Sequence, residues 1–264
     1  MSYKRHWDAG KTGLASIYKK EDSACQGLEI SMLKLNKGMS ENFFEKDKEI
    51  VFTILGGNCD IVGDGFEFKK IGSRKNVWDG KATAVYVGRN TKAAVTANDD
   101  DLVICVAYCP AEEDFEPQLV TPDDVVVKDL GKPGFERQAH FIYDERFKAN
   151  HIYIGENFIK GGQWSSYPGH KHDTENMPAE GFAEEIYYYE YDKPTGYGIQ
   201  QVYTGDKSVD EAYAVRNNDF VEIPVGYHPC TVAAGYNGYL LWLMCCNHRG
   251  FYMSTDPDHA WLNK

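Results

Sequence analysis

The amino-acid sequence predicts an all-β protein made of two β-barrels in tandem. Short runs rich in β-branched and aromatic residues recur along the 264 residues, separated by turn signals such as Gly63-Asp64-Gly65 and Asn237-Gly238. Aromatic residues, which favour strands over helices, make up 14% of the chain, with 18 Tyr among them. Motifs of the first half also return in the second half about 137 residues later. Many short strands at this spacing are typical of barrels and sandwiches.

The predicted strands follow one another with turn signals between them. They cover residues 50–55, 84–87, 93–97 and 102–108 in the first half, and residues 152–154, 186–191, 198–203 and 239–245 in the second. Pro and Gly cluster between residues 122 and 134, which have the composition of a linker. We therefore place a boundary near residue 137 and expect domains at residues 1–137 and 138–264.

The two halves match in order and at a common offset. The matching segments are residues 49–52 with 185–188, and residues 87–90 with 225–228. The copies differ in histidine, because Asn90 stands where the second copy has His228. We expect the first barrel to be a scaffold or an oligomer surface, and the chemistry to lie in residues 138–264.

Composition argues against several classes of partner. A net charge of −12 disfavours nucleic-acid binding. No apolar window is long enough to span a membrane, and the first residues lack an apolar signal region. The seven Cys include no Cys-x-x-Cys pair, a pattern typical of reduced thiols. We expect a cytoplasmic protein that forms homo-oligomers and acts on a small molecule.

Three histidines are spaced as metal ligands in the second half. Residues two apart on a strand share a face, so His170 and His172 can direct both imidazoles to one point while Lys171 faces away. His228 follows a Pro-x-Gly turn about 55 residues later and can supply a third imidazole. Two histidines at this spacing and a third after a turn predict a divalent metal site.

An acidic ligand is expected from the tyrosine-rich strand. Glu185 shares its face with Tyr187 and Tyr189, whereas Glu184 faces the other way and is the alternative. Glu175 lies nearer in sequence, but in a loop-like stretch. Three imidazoles and one carboxylate leave coordination positions open, as in a catalytic site. We expect one divalent ion per chain and place Zn and Mn before Fe and Ni, among which the ligands do not decide.

These residues resemble the cupin superfamily, whose metal site is a His-x-His pair, a Glu and a later His on a small β-barrel. Residues 162–173 are similar to the signature of the 5-deoxy-glucuronate isomerase family, bicupins of myo-inositol catabolism. Further similar stretches are residues 72–74, 77–80, 84–87, 185–189, 196–200, 224–229 and 256–261. Gly169 departs from the family, which usually has a second proline there, and the gap from His172 to Glu185 is one that the family shares.

The resemblance implies two tandem cupin barrels and an aldose–ketose isomerase that converts 5-deoxy-D-glucuronate to 5-dehydro-2-deoxy-D-gluconate. A metal ion suits this reaction because it polarises the carbonyl, while a base moves a proton between adjacent carbons. Asp173 is a candidate for that base or for a partner that positions the ligands. Tyr187, Tyr189 and Tyr203 are expected to line the cavity and donate hydrogen bonds, with a role in the barrel core as the alternative.

The substrate carboxylate calls for a cation, for which Arg249 and Lys171 are candidates, although Lys171 points away from the metal by alternation. Arg216 is expected to be solvated. His259 is expected to cap a terminal helix, with a position over the mouth of the barrel as the alternative. Three other functions stay open. They are isomerisation of a pectin-derived hexosulose-uronate, sugar binding without catalysis, and a dioxygenase reaction.

Overall fold

The protein is described by a computed structural model over residues 2–263, and nearly all of its regular structure is β-strand. The strands are β1 Lys4–His6, β2 Gly13–Tyr18, β3 Glu29–Leu35, β4 Ser40–Phe44, β5 Lys48–Gly56, β6 Cys59–Gly63, β7 Phe66–Ile71, β8 Thr83–Val87, β9 Lys92–Ala97, β10 Leu102–Pro110, β11 Gln118–Val120, β12 Val126–Leu130, β13 Arg137–Tyr143, β14 Ile152–Lys160, β15 Trp164–Ser165, β16 His170–Lys171, β17 Ala183–Tyr191, β18 Gly198–Tyr203, β19 Asp210–Val215, β20 Asp219–Ile223, β21 Cys230–Val232, β22 Asn237–Cys246 and β23 Ser254–Thr255. A single 3₁₀ helix, Ala260–Asn263, ends the described chain. All eight predicted strand runs lie within these strands, which confirms the all-β prediction.

The chain divides into two compact units. The first, called the first barrel below, contains residues 7–126 and 141–152. The second barrel contains the segment that ends at His6, residues 127–140, and the chain from Tyr153 onward. A domain boundary at residue 137 separates most of the two units. It does not follow the segment that ends at His6, residues 127–137 or residues 141–152, each of which belongs to the other unit. The N-terminal strand β1, for example, pairs with β20 of the second barrel, with Lys4 opposite Val221.

The first barrel contains two antiparallel sheets, ordered β11-β8-β5-β10-β3-β2 and β4-β9-β6-β7. Its core is apolar, because alternate residues of β5 point inward, namely Ile50, Phe52 and Ile54. Glu49 lies on the other face of β5 and is fully buried. Its carboxylate accepts hydrogen bonds from the backbone amides of residues 150–152 and from the Tyr86 hydroxyl.

The second barrel contains a seven-stranded sheet ordered β1-β20-β17-β22-β14-β13-β12, a four-stranded sheet β15-β21-β18-β19, and the pair β16-β23. Strand β17 lies between β20 and β22 in antiparallel register, with Glu185 opposite Ile223 and Met244. This register places the inward face of β17 at the centre of the sheet.

The segment predicted to be a linker contains a strand. Strand β12 forms within residues 122–134 and is the edge strand of the seven-stranded sheet. The linker prediction was wrong there because three β-branched residues, Val125, Val126 and Val127, lie between the Pro and Gly clusters and favour an extended chain. Within residues 2–263, no helix is long and apolar enough to cross a membrane.

Candidate metal centre

Three imidazoles converge inside the second barrel. One ring nitrogen from each of His170, His172 and His228 lies within 4.8 Å of the others. His170 is on β16, His172 follows directly after that strand, and His228 is in the loop after β20. The prediction that both His170 and His172 lie on a strand holds only for His170, yet the two rings still turn to one point. His170 keeps some accessible surface, whereas the other two are buried.

Glu185 supplies a carboxylate to the same point. Its Oε2 lies 3.1 Å from His172 Nε2 and 3.2 Å from His228 Nε2. Glu185 and Tyr187 alternate along the inward face of β17, whereas Glu184 directly precedes Glu185 and lies in register with Cys245 on β22. The alternation argument therefore selected the glutamate that lies beside the imidazoles.

Backbone carbonyls fix the orientation of two of the rings. His172 Nδ1 lies 2.8 Å from the carbonyl oxygen of Ala183, and His228 Nδ1 lies 2.9 Å from that of Gly226. An Nδ1–H that donates to a carbonyl leaves Nε2 unprotonated and free for a metal. His228 Nε2 is buried and makes no hydrogen bond, because its contact with Glu185 has the distance of one but not the direction. A buried ring nitrogen without a hydrogen bond is available to coordinate a metal ion. These residues could therefore hold one.

Electrostatics at this point suit a cation. Burial lowers the pKa of His170 well below its ordinary value, and the neighbouring imidazoles His228 and His172 lower it further. Burial alone would raise the pKa of Glu185, but contacts with His172 and His228 outweigh it and bring the pKa to about 2. An ionised Glu185 and a neutral His170 are the protonation states that bind metal. Burial would lower the pKa of His172 too, but its contact with Glu185 raises it overall, so a metal ion competes with a proton there.

Asp173 holds two loops together. Its Oδ1 accepts a hydrogen bond from Lys171 Nζ at 2.6 Å, and its Oδ2 accepts one from the backbone amide of Gly226 at 2.7 Å. Burial acts to raise the pKa of Asp173, but the Lys171 and Gly226 contacts lower it overall. Lys171 also pairs with Glu180 at 2.7 Å. The arrangement joins the His170 loop to the His228 loop, and it leaves Lys171 fully engaged with carboxylates.

The three candidate tyrosines make different contacts. The Tyr187 hydroxyl lies 3.0 Å from Ser166 Oγ, and burial together with the Glu185 charge raises its pKa well above the usual value. Tyr189 donates a hydrogen bond to Gln200 Oε1, while Gln200 Nε2 donates to the His228 carbonyl oxygen at 2.8 Å. Tyr189 therefore supports the backbone of a candidate ligand, and Tyr187 keeps a protonated hydroxyl close to Glu185.

Tyr203 lies behind the loop that carries His170. Its hydroxyl donates to Asp256 Oδ2 at 2.7 Å, and the Asp256 amide donates to the Gly169 carbonyl oxygen at 2.8 Å. A Cβ at position 169 would come within 2.8 Å of the Tyr203 hydroxyl. Glycine therefore fits here, where a larger residue would push against Tyr203.

The remaining candidates lie outside the cluster of imidazoles. Arg249 follows the end of β22, is partly buried, and its charge partly offsets the rise that burial causes in the pKa of Cys246. Arg216 and His259 are exposed, and His259 directly precedes the 3₁₀ helix as expected. Arg137, which no sequence motif singled out, opens β13 and contributes to the lowered pKa of His170.

The sequence is similar to curated enzymes over most of its length. It is 36% identical over 246 residues to the 5-deoxy-glucuronate isomerase of Bacillus licheniformis, covering 92% of this chain and 90% of that protein. It is 35% identical over 237 residues to the enzyme of the same name from Bacillus subtilis strain 168, covering 89% and 87%.

Solved structures agree with the fold. An IolB-like protein from Salmonella typhimurium LT2 superposes with a TM-score of 0.92 at 30% identity, covering 96% of this chain and 97% of that one. Oxalate decarboxylase of Bacillus subtilis, a cupin-fold protein, superposes with a TM-score of 0.64 at 12% identity, covering 97% and 78%. The two units are therefore tandem cupin barrels, as predicted. The KduI/IolB family model matches residues 3–262, and the chain belongs to that family.

Proposed function

We propose that this chain is a metal-dependent aldose–ketose isomerase that converts 5-deoxy-D-glucuronate to 5-dehydro-2-deoxy-D-gluconate in myo-inositol degradation. The observation that carries the proposal is the convergence of three imidazole nitrogens beside the Glu185 carboxylate. The shared name of the curated relatives supplies the substrate.

His170, His172, Glu185 and His228 are proposed to hold one divalent ion. We place Zn²⁺ and Mn²⁺ before Fe and Ni, although the nitrogen and carboxylate donors suit all four. When bound, such an ion polarises the substrate carbonyl and stabilises negative charge on the neighbouring oxygen. The carbonyls of Ala183 and Gly226 keep two of the imidazoles in the binding tautomer.

The reaction moves hydrogen within one molecule, so nothing is oxidised or reduced overall. In the numbering of the substrate, C2 and its hydroxyl each lose a hydrogen, while C1 and its oxygen each gain one. We assign Tyr187 the role of a donor to a substrate oxygen, because its raised pKa keeps the proton on Oη. Ser166 Oγ, 3.0 Å away, holds that hydroxyl in place.

The other candidate residues are proposed to support the site rather than to transfer protons. Tyr189 holds the His228 loop through Gln200, and Tyr203 holds the His170 loop through Asp256. Asp173 remains a candidate base. Its contacts with Lys171 and Gly226 favour the other predicted role, that of positioning the two ligand loops.

The proposal is tested by incubating metal-loaded protein with 5-deoxy-glucuronate and following the product by NMR. Turnover with Zn²⁺ or Mn²⁺ supports the isomerase, and no turnover with any of Zn, Mn, Fe or Ni overturns it. In D₂O, deuterium on the product carbon that was C1 of the substrate indicates proton transfer through a base that exchanges with solvent. A parallel incubation with the pectin-derived hexosulose-uronate identifies the preferred substrate, and oxygen uptake would identify a dioxygenase.

We also propose that the chain forms homo-oligomers, with the first barrel free of metal and serving as scaffold or subunit contact. Multi-angle light scattering on the metal-loaded protein tests this, and a monomeric mass at micromolar concentration contradicts it.

A further inference from the structure

Arg137 is a partly buried cation without a counter-ion among the described residues. Its guanidinium Nε is buried and has no hydrogen-bond partner, while Nη1 donates only a long hydrogen bond of 3.4 Å to the Phe135 carbonyl oxygen. Among residues 2–263 it forms no ion pair. Burial lowers the pKa of Arg137, which shows that holding the charge there costs solvation. A charge that is partly withdrawn from water in this way is expected to have an anionic partner.

The guanidinium lies beside the candidate metal centre. It is close enough to interact electrostatically with Tyr187, Cys230 and His170. Tyr187 and Cys230 are buried, and His170 is the imidazole that keeps some accessible surface. A ligand that approaches His170 from solvent would therefore come within reach of Arg137.

The segment before Arg137 is fixed against the loop that leads to His170. The Trp164 amide donates to the Gly134 carbonyl oxygen at 2.9 Å. The Glu136 amide donates to Gln163 Oε1 at 3.0 Å. The Phe135 and Tyr167 rings pack edge to face at 5.7 Å. The segment that leads into Arg137 is thus held against the loop that leads to His170.

We propose that Arg137 binds the carboxylate of the sugar acid through the N–H donors of its guanidinium, while the carbonyl end of the substrate lies at the imidazoles. The identity of the substrate rests on the proposed function. A guanidinium presents parallel N–H donors that match the two oxygens of a carboxylate. The chain carries a net charge of −12, so an anionic substrate needs a local cation at its binding site.

The other cations considered are less suited to this role. Lys171 is already paired with Asp173 at 2.6 Å and Glu180 at 2.7 Å. Arg216 is exposed at the end of β19. Arg249 follows β22 near Cys246 and is the competing candidate. Arg137 differs from these because a buried donor of its guanidinium is left without an acceptor.

The test compares Arg137→Gln and Arg137→Lys with Arg249→Gln and with Arg216→Gln as an exposed matched control. For 5-deoxy-glucuronate we expect KM to rise about 100-fold in Arg137→Gln with a much smaller change in kcat, and Arg137→Lys to recover part of the loss. With 5-deoxy-glucose, in which CH₂OH replaces the carboxylate, the wild type and Arg137→Gln should have equal kcat/KM. Bound metal should stay at the wild-type level, which separates substrate binding from a damaged site.

Binding is measured separately by calorimetry with the C1 alcohol of 5-deoxy-glucuronate, which keeps the carboxylate and cannot isomerise. Wild-type protein that binds this acid without turning over the aldehyde would refute the isomerase but not the role of Arg137. Equal affinity in wild type and Arg137→Gln would overturn the assignment of Arg137. A loss confined to Arg249→Gln would overturn it as well.

Discussion

At the scale of single residues, the candidate ligands that the structure brings together could be selected from their spacing in the sequence. His170 and His172 are two apart, and Glu185 alternates with Tyr187 and Tyr189 on a strand that does form. Arg137 has no such signal, since one arginine at the start of a strand is usually solvated. Its importance appears only once long-range packing has buried its Nε.

The first prediction at this scale concerns metal content. His172→Ala and His228→Ala each remove one imidazole from a cluster of three, so bound metal should fall to a small fraction of the wild-type level. Asn90→Ala, at the matching position of the first barrel, should leave it unchanged. Inductively coupled plasma mass spectrometry after dialysis measures both, and a loss in Asn90→Ala would contradict the assignment of the metal to the second barrel.

The second prediction concerns Tyr187. Tyr187→Phe removes a hydroxyl that burial keeps protonated beside Glu185, and should lower kcat about 100-fold with unchanged metal content. Tyr197→Phe is the matched control, because Tyr197 is 44% exposed. Steady-state kinetics from pH 6 to 9 checks the result. An unchanged kcat in Tyr187→Phe would remove this hydroxyl from the mechanism.

At the scale of elements, equivalent strands of the two barrels present different inward faces. On β5 the inward residues are Ile50, Phe52 and Ile54. On β17 they include Glu185, whose carboxylate contacts the imidazoles. The repeat in the sequence matched Glu49 to Glu185, but Glu49 lies on the opposite face of its strand. Shifting an alignment by one residue moves every side chain to the opposite face of a strand. Sequence similarity alone therefore did not establish whether Glu49 and Glu185 occupy equivalent positions.

Strand alternation also predicts which thiols react. Cys245 and Cys246 are neighbours on β22, yet only Cys245 keeps accessible surface. Burial raises the pKa of Cys246 well above its usual value. Since the thiolate is the nucleophile, a raised pKa keeps the thiol unreactive as pH rises from 7 to 9. Iodoacetamide should therefore label Cys245 and spare Cys246 throughout this range, as read by tandem mass spectrometry.

The control for this labelling is the unfolded protein. In urea both thiols should react alike, because the burial that separates them is lost. Equal labelling of the two neighbours in the folded protein would contradict the register of β22.

At the scale of the whole molecule, the all-β class and the tandem barrels follow from composition and repetition, but the division into units does not. The segment that ends at His6 belongs to the second barrel because β1 pairs with β20, more than 200 residues away. The local sequence does not indicate which distant strand a segment will pair with. The same holds for residues 141–152, whose amides at 150–152 are fixed by Glu49 of the first barrel.

Glu49 on β5 and Glu185 on β17 should respond in opposite ways to the same substitution. Glu49→Gln puts an amide NH₂ where the carboxylate now accepts hydrogen bonds from the amides of residues 150–152, so a buried donor faces donors. We expect the free energy of unfolding of the first barrel to fall by about 3 kcal/mol, with bound metal unchanged.

Glu185→Gln removes the only carboxylate beside the three imidazoles among the described residues, and should lose metal. In the presence of a chelator it should unfold close to the midpoint of metal-free wild type, since the stabilisation that binding gives is absent from both. Urea unfolding followed by tryptophan fluorescence, paired with metal analysis of each variant, measures the two effects. Loss of metal in Glu49→Gln, or retention of metal in Glu185→Gln, would contradict the assignment of a structural carboxylate to one barrel and a ligand to the other.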